Sequence, residues 1–292
     1  MSRRAWDVVL PIGLFVALAF VPKIGADLPK LFNGPINSPG TLQLLAACEQ
    51  TPTIQAVVVR GSAGIYGAEP AAPQFYTEEM ARLYPLRTRF QRDIGEIENY
   101  FEGYARRHLE VVCTMLRYQP SLGPGTDSQV TRYLGAAVVP TYLGFDPRMQ
   151  FVHEDDVVGA LTYSTGLDVP GIYNVAGDGM VTWSEVCRIA GRSRVPLPPV
   201  LAGLAFEPLR AMRLIDLPPE MLSMLRYGRG VDNSRFKRTG FKYKYTTAGA
   251  VDSFARGLRL ERAVGSSEPD YTYERDVETF FRHSPAIVRD RR

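Results

Sequence analysis

The sequence predicts an α/β fold built on a parallel sheet, and three observations carry that reading. Ile54–Arg60 and Leu109–Arg117 are β-branched, apolar runs, the composition of strands buried on both faces. Between them Asp93–His108 places Ile94, Ile97, Phe101 and Tyr104 at helical spacing. Strand, helix and strand in alternation give parallel strands covered by helices. The 292 residues are 45% hydrophobic and 22% charged, which excludes disorder, collagen-like repeats and coiled coil.

The other elements follow in chain order. Ser2-Arg3-Arg4 precedes an apolar run from Val8 to Val21, similar to the front of a signal peptide. Pro11 and Gly13 interrupt the run, which is too short and broken for a membrane span. We read Leu14–Ala19 as a buried parallel strand and the protein as cytoplasmic, with export or anchoring through residues 8–21 the alternative. Thr41–Glu49 is a short helix, and Asp93 is placed to cap the helix that ends at His108. Gln150–His153 is a short strand, and Glu154-Asp155-Asp156 opens a helix with acids at its positive end. Gly171–Val175 is a strand, Trp183–Ala190 a helix and Pro196–Pro199 a breaker. Val200–Ile215 reads as helical, as does the segment from Pro218-Pro219 to about Leu225. The charged tail from Leu258 has no strong period and is expected to wrap the surface.

Composition removes several function classes. A net charge of +3 on 34 basic and 31 acidic residues gives no nucleic-acid surface. Cys48, Cys113 and Cys187 are scattered, without ligand spacing to a histidine, so neither a metal site nor a disulfide framework is expected. The only lysines are Lys23, Lys30, Lys237, Lys242 and Lys244. Chemistry that needs an ammonium group between Leu31 and Phe236 has none to use.

Gly61-Ser62-Ala63-Gly64-Ile65-Tyr66-Gly67 follows a strand with GxxGxxG spacing. It is a decoy for a dinucleotide loop, which has GxGxxG spacing and opens a helix. Pro70 and Pro73 forbid that helix here. Ser-Ala-x-Ile-Tyr-Gly after a valine-rich strand instead resembles the serine segment of extended short-chain dehydrogenases, the NAD-dependent epimerase/dehydratase family. Further segments resemble that family in order: Ala17-Leu18-Ala19, Asn37-Ser38-Pro39-Gly40-Thr41, Leu116-Arg117 to Gly123-Pro124, Phe151–Asp156, Ile172-Tyr173-Asn174 and Asp232–Arg235.

The resemblance implies a Rossmann-like sheet that lacks its first βαβ unit, because the chain starts at what resembles the family's fourth strand. A truncated or misassigned gene start is the plain explanation, with a true loss of cofactor binding second. Residues 1–136 are then an incomplete dinucleotide-binding core, and residues 137–292 hold the remaining core strands and a substrate region. The cofactor, NAD or NADP, is implied to lie against Ala17, Leu18, Ala19, Asn37, Arg60, Gly61 and Tyr118. A nucleotide-sugar-like ligand is implied to meet Ala63, Gly64, Tyr66, Arg117, Pro120 and Arg235, although a structural salt bridge suits Arg117 equally well. A sheet cut at its fourth strand is expected to leave an apolar face, and the protein to self-associate.

The family's acid/base machinery is a Ser, a Tyr and a Lys four residues after the Tyr. Ser62 fills the first position. A helix register fixed on Glu98, 19 residues before Arg117, puts Phe90 at the Tyr position and Ile94 at the Lys position. None of the 15 tyrosines has a lysine four residues on. His153, His108, Asp155 and Asp156 read as structural groups, and Tyr84 and His153 have no motif reason to reach Ser62. Three functions stay open: a family member with impaired redox catalysis that keeps a ligand cleft, an active NAD(P) enzyme with a displaced base, or an exported or anchored binding protein.

The sequence contains no GxGxxG phosphate loop, so the backbone donors that hold a pyrophosphate are missing from it. Isothermal titration with NAD+ or NADP+ should give no binding tighter than about millimolar, near −4 kcal/mol. A micromolar dissociation constant overturns that expectation.

Overall fold

The computed structural model describes residues 14–17, 38–51, 54–136, 138–166, 169–198 and 219–264. In chain order the strands are β1 (Leu14–Ala17), β2 (Ala56–Ser62), β3 (Val112–Tyr118), β4 (Ser121–Leu122), β5 (Val138–Tyr142), β6 (Arg148–Met149), β7 (Val152–His153), β8 (Gly171–Val175), β9 (Val181–Thr182) and β10 (Ser193–Leu197). The helices are α1 (Ser38–Glu49), α2 (Arg89–Arg107), α3 (Gln129–Gly135), α4 (Glu154–Gly166), α5 (Trp183–Ile189), α6 (Pro219–Tyr227), α7 (Ser234–Arg238) and α8 (Thr247–Val264).

The main sheet has the order β1-β2-β3-β8, and every pairing in it is parallel. The expected α/β architecture is therefore present, with β1 as an edge strand among the described residues. Leu18 and Ala19, the end of the expected first strand, lie outside the described residues. Side chains alternate between two covered faces. Val57, Val59, Cys113 and Met115 pack with Leu45 of α1 and with Ile97, Phe101 and Tyr104 of α2. Val58, Leu116, Tyr118 and Val175 pack the other way, with Ala160 of α4 and Phe236 of α7. A separate apolar cluster joins α3, α5, α6 and α8 around Leu134, Trp183, Met224 and Phe254.

Several boundaries move for identifiable reasons. Helix α2 begins at Arg89, ahead of the expected start, because Thr88 is its N-cap. The Gln91 amide N–H donates to Thr88 Oγ1 at 3.2 Å, and the Thr88 N–H donates to Gln91 Oε1 at 3.2 Å. This reciprocal capping box satisfies two otherwise orphaned donors, and Asp93 is left inside the helix. The Pro196–Pro199 breaker is corrected in part: β10 runs through Pro196 and pairs parallel with β5, where Pro140 faces Val195. In a two-stranded sheet each strand is an edge, so a proline can turn its missing donor outward. The Leu258 tail is also corrected, since α8 continues to Val264. Val200–Ile215 lies outside the described residues.

One buried ion pair ties the layers together. Arg117 on β3 is 2% exposed, and its Nε and Nη2 donate to Glu98 Oε1 and Oε2 of α2 at 2.8 and 2.9 Å. Its Nη1 donates to the Tyr66 hydroxyl at 3.0 Å and to the Glu78 carbonyl at 2.7 Å. The Tyr66 hydroxyl in turn donates to Asn174 Oδ1 of β8 at 2.6 Å. The Asn174 N–H reaches Glu78 Oε1 at 2.8 Å, so α2, β3, β8 and the Tyr66–Glu78 segment form one polar network inside an apolar shell.

Breaking such a pair from one side strands a buried charge, which costs about 3–5 kcal/mol. Arg117→Ala and Glu98→Ala should each lower the unfolding free energy obtained by urea titration by an amount in that range. The double variant should lose less than the sum of the two. Additive losses in a double-mutant cycle would show that the pair does not act as a unit.

Candidate functional site

The candidate site lies where β2 ends. Ser62 is the last residue of β2 and the N-cap of a single 3-10 turn, Ala63–Tyr66. Its Oγ accepts the Gly64 N–H at 3.1 Å, and the side chain is only partly buried. Gly67 closes the turn at φ 74°, a left-handed conformation that favours glycine. Sequence reasoning had set this glycine segment aside as a phosphate loop, and its conformation is a tight turn with Ala63, Gly64, Ile65 and Tyr66 buried.

Helix α2 brings Phe90 and Ile94 to the same place. A methyl group on Gly64 would come within 2.5 Å of Phe90 Cε1 and 3.2 Å of both Ile94 Cδ1 and Ser62 Oγ. Ser62, Phe90 and Ile94 thus converge on one glycine, with no Cβ between them. Ile94 is 3% exposed, and Phe90 packs at the margin of the same apolar group. Neither side chain can donate, accept or titrate, so the hydroxyl of Ser62 is the polar group they leave at that point.

The remaining residues named from sequence fall into separate groups. Arg117 and Tyr66 face each other inside the buried network, and four Arg117 N–H directions are consumed there. Of the two readings for Arg117, the structural salt bridge is the arrangement present. Arg60 lies 5.5 Å from the Tyr118 ring centroid, and the buried Tyr118 hydroxyl donates to the Val157 carbonyl at 3.2 Å. Burial pushes the Tyr118 phenol well above its ordinary range and lowers the Arg60 guanidinium. Gly61 lies against the neighbouring strand, where an added Cβ would sit 3.3 Å from Met115 Cγ. The Pro120 carbonyl accepts the Val152 N–H at 3.1 Å. Arg235 pairs with Glu79 at 3.0 Å and lies over the Tyr173 ring. Ala17 pairs through its backbone with Val59, while Leu18, Ala19 and Asn37 lie outside the described residues.

The other titratable candidates have structural partners. His153 accepts the Asp155 N–H at 3.1 Å through Nδ1, contacts Ser253 Oγ at 2.9 Å through Nε2 and stacks on Tyr245. Asp156 accepts the Lys244 and Tyr245 amides at 2.8 and 3.0 Å. The Tyr84 hydroxyl donates to the Ala71 carbonyl at 2.8 Å. None of these bonds leads to Ser62. Among the described residues no cluster of three metal-ligating side chains occurs, and no helix is long and apolar enough to cross a membrane.

Sequence reasoning did not single out Gln119, Tyr76 or Arg229. Arg229 Nη1 lies 3.4 Å from the Gly67 carbonyl, at the far end of the Ser62 turn. Gln119 grips it on two sides: Arg229 Nε donates to Gln119 Oε1 and Gln119 Nε2 donates to the Arg229 carbonyl, each at 3.2 Å. Tyr76 stacks on Tyr66 at 4.9 Å between centroids. Gln119 stands next to the Leu-Arg pair that was recognised, but no local pattern marks Arg229 or Tyr76.

Phe90 and Ile94, on the helix beside Ser62, carry no donor or acceptor for a ribose hydroxyl. The packing around Gly64 can be tested directly. Gly64→Ala should destabilise the fold by about 1–3 kcal/mol through overpacking, and Phe90→Ala in the same chain should recover part of that loss. A Gly64→Ala variant of unchanged thermal stability would place Phe90 elsewhere.

The comparisons with known proteins bear on the family and the fold. The profile of the NAD dependent epimerase/dehydratase family matches residues 18–176. An uncharacterized protein of Mycobacterium tuberculosis is 34% identical over 247 residues, 84% of this chain and 64% of that protein. The chain therefore spans less than two thirds of that relative's length. The fold is shared with a dTDP-glucose 4,6-dehydratase variant from Streptomyces venezuelae, at TM-score 0.60 and 16% identity over 89% of this chain and 78% of that one. It is also shared with UDP-glucose 4-epimerase from Thermus thermophilus, at TM-score 0.57 and 18% identity over 88% and 80% of the two chains. With more than half of its length under the family profile and its sheet in the same fold, the chain belongs to the NAD-dependent epimerase/dehydratase family.

Proposed function

We propose that this protein is a nucleotide-sugar-binding member of the family in which redox catalysis is impaired. The observation that carries the reading is the convergence of Ser62, Phe90 and Ile94 on Gly64. In the family's chemistry a hydride leaves the substrate carbon while a positioned base takes the hydroxyl proton. Here the residues beside the serine are a phenyl ring and a branched alkyl chain. The serine hydroxyl is a very weak base near neutral pH without a partner to accept its proton. A positioned general base typically contributes about 10²–10⁴-fold in rate, and that is the factor these two side chains remove.

The family cofactor is NAD or NADP. When bound it supplies hydride acceptance, and this chain's own residues supply the rest. Ser62 Oγ would meet a substrate hydroxyl, the 3-10 turn would form one wall, and Phe90 would press an apolar ring against the sugar. The solved structures sharing this fold include UDP-N-acetylglucosamine 4-epimerase bound to UDP-N-acetylmuramic acid and a protein bound to UDP-glucuronic acid and NAD, which supports a nucleotide sugar as the ligand class here. A displaced base would need a titratable group free to reach Ser62. The hydrogen bonds of His153 and Tyr84 direct them elsewhere, which favours impairment over displacement.

Turnover of UDP- and dTDP-hexoses with added NAD+ should be near background, and Ser62→Ala should leave it there. Phe90→Tyr combined with Ile94→Lys should raise it measurably. A wild-type protein that epimerises or dehydrates such a sugar at an ordinary rate, and loses that activity in Ser62→Ala, would sink the reading.

A further inference from the structure

Arg229 is an unusual cation. It is half-buried, yet no carboxylate pairs with it among the described residues. Its contacts are a side-chain amide at 3.2 Å, a carbonyl at 3.4 Å and the Met224 thioether sulfur at 3.8 Å, all neutral and the last two long or weak. Arg117, only a few residues from Gln119 in sequence, shows the contrast: it has a bidentate carboxylate. Burial lowers the Arg229 guanidinium to about 10, and the nearby Tyr76 and Tyr66 phenols raise it only in part. A partly buried guanidinium without an anion is held at a cost to stability.

A second orphan stands beside it. Tyr76 is completely buried, and its hydroxyl has no hydrogen-bond partner among the described residues. The backbone places the two side chains on the same side. Tyr76 pairs in parallel with Val231, and in extended chain residues two apart point the same way. Arg229 therefore projects to the side that Tyr76 and Val231 share. The segment is held firmly: the Tyr76 N–H donates to the Gly230 carbonyl at 3.0 Å, and the Asp232 N–H donates to the Tyr76 carbonyl at 2.9 Å. The Val231 N–H also donates to Gln150 Oε1 at 2.7 Å. At Gly228, with φ 73°, the chain passes so close to the Arg148 carbonyl that a side chain has no room.

We propose that Arg229 and the Tyr76 hydroxyl form an oxyanion subsite of the Ser62 cleft, receiving a carboxylate or phosphate group of the bound ligand. One group brings a fixed positive fork and the other an unused O–H, which together match the lone pairs of such an anion. The position suits a ligand that also meets Ser62. Gly67, against which Arg229 lies, is one 3-10 turn from Gly64, about 6 Å along that turn, within the span of a hexose and its substituents. The proposal rests on the reading that the Ser62 turn lines a ligand cleft, but it adds a requirement of its own, a negative charge at the Gly67 end.

Isothermal titration of the 292-residue protein with UDP-glucuronate, UDP-glucose and inorganic phosphate tests it, repeated on Arg229→Gln, Arg229→Lys and Tyr76→Phe. At least one probe should bind the wild type and weaken about 10- to 100-fold in Arg229→Gln. Tyr76→Phe should weaken the same probe without lowering thermal stability, since its hydroxyl has no hydrogen-bond partner among the described residues. A loss confined to UDP-glucuronate identifies a sugar carboxylate as the anion, and a loss shared with UDP-glucose identifies the diphosphate. Phosphate binding that depends on Arg229, with neither nucleotide sugar binding, keeps the subsite and removes the nucleotide-sugar reading. If Arg229→Gln does not fold, Arg229→Lys decides, because a point charge in place of the planar fork should weaken binding several-fold. Equal binding by wild type and the folded Arg229 variants, or no binding of any probe by folded wild type, overturns the proposal.

Discussion

The buried pairing of Arg117 with Glu98 is the interaction on which the rest of this structure depends. It joins the central strand of the sheet to the helix that delivers Phe90 and Ile94, and its fourth bond fixes the Glu78 carbonyl. Tyr66 is held by the same guanidinium and hands its own proton to Asn174 of the neighbouring strand. The Ser62 turn ends at Tyr66, so the turn's position is set from beneath by a charge that never meets solvent. Ion pairs this deep do not add much net stability compared with apolar packing. Their strength is that they admit few alternatives, because a shifted helix would leave a charge without its partner.

On the proposed reading, that frame lets the site lose its chemistry without losing its shape. Phe90 and Ile94 face the apolar side of α2, where Leu86 and Ile65 already pack. Replacing a phenol by a phenyl ring and an ammonium stem by a branched alkyl chain there adds apolar contact and removes groups that would need solvation. Stability and catalysis therefore pull in opposite directions at these two positions, as they do at many functional sites. What stays polar is Ser62 on the turn itself, whose hydroxyl also caps Gly64 and so has a structural reason to remain.

Much of the sheet was legible because its strands obey local rules. Val57, Val58 and Val59 are buried on alternating faces, and a run of β-branched residues has few other uses. Phe90 and Ile94 could be placed from sequence because Glu98 and Arg117 act as fixed points, and these two residues are bonded to each other in the fold. The misplaced start of α2 has a different cause. Asp93 looks like a cap, but the Thr88–Gln91 pair makes a better one, and only the hydrogen bonds decide between them. Strands β5 and β10 were missed because Pro140 and Pro196 sit inside them, which is tolerable only where a strand has one neighbour. Arg229 carries no signature at all, since its peculiarity is that no carboxylate among the described residues pairs with it.

Binding and turnover make different demands, and the two halves of this cleft meet them unequally. A rate enhancement needs interactions that strengthen in the transition state, whereas affinity needs only interactions present with the ligand at rest. Around Gly64 the groups that would change their interaction during proton transfer are absent, and a ring and an alkyl chain treat ground state and transition state alike. At Gly67 the Arg229 guanidinium lies against the carbonyl, and in the proposed subsite a fixed charge would hold an anion equally well before and after any reaction. On the proposed reading, a site of this composition would stabilise a bound ligand uniformly along the reaction path. On the proposed reading it holds a molecule, and the absence of an acid paired with Arg229 among the described residues is the physical reason to expect a negative charge on that molecule there.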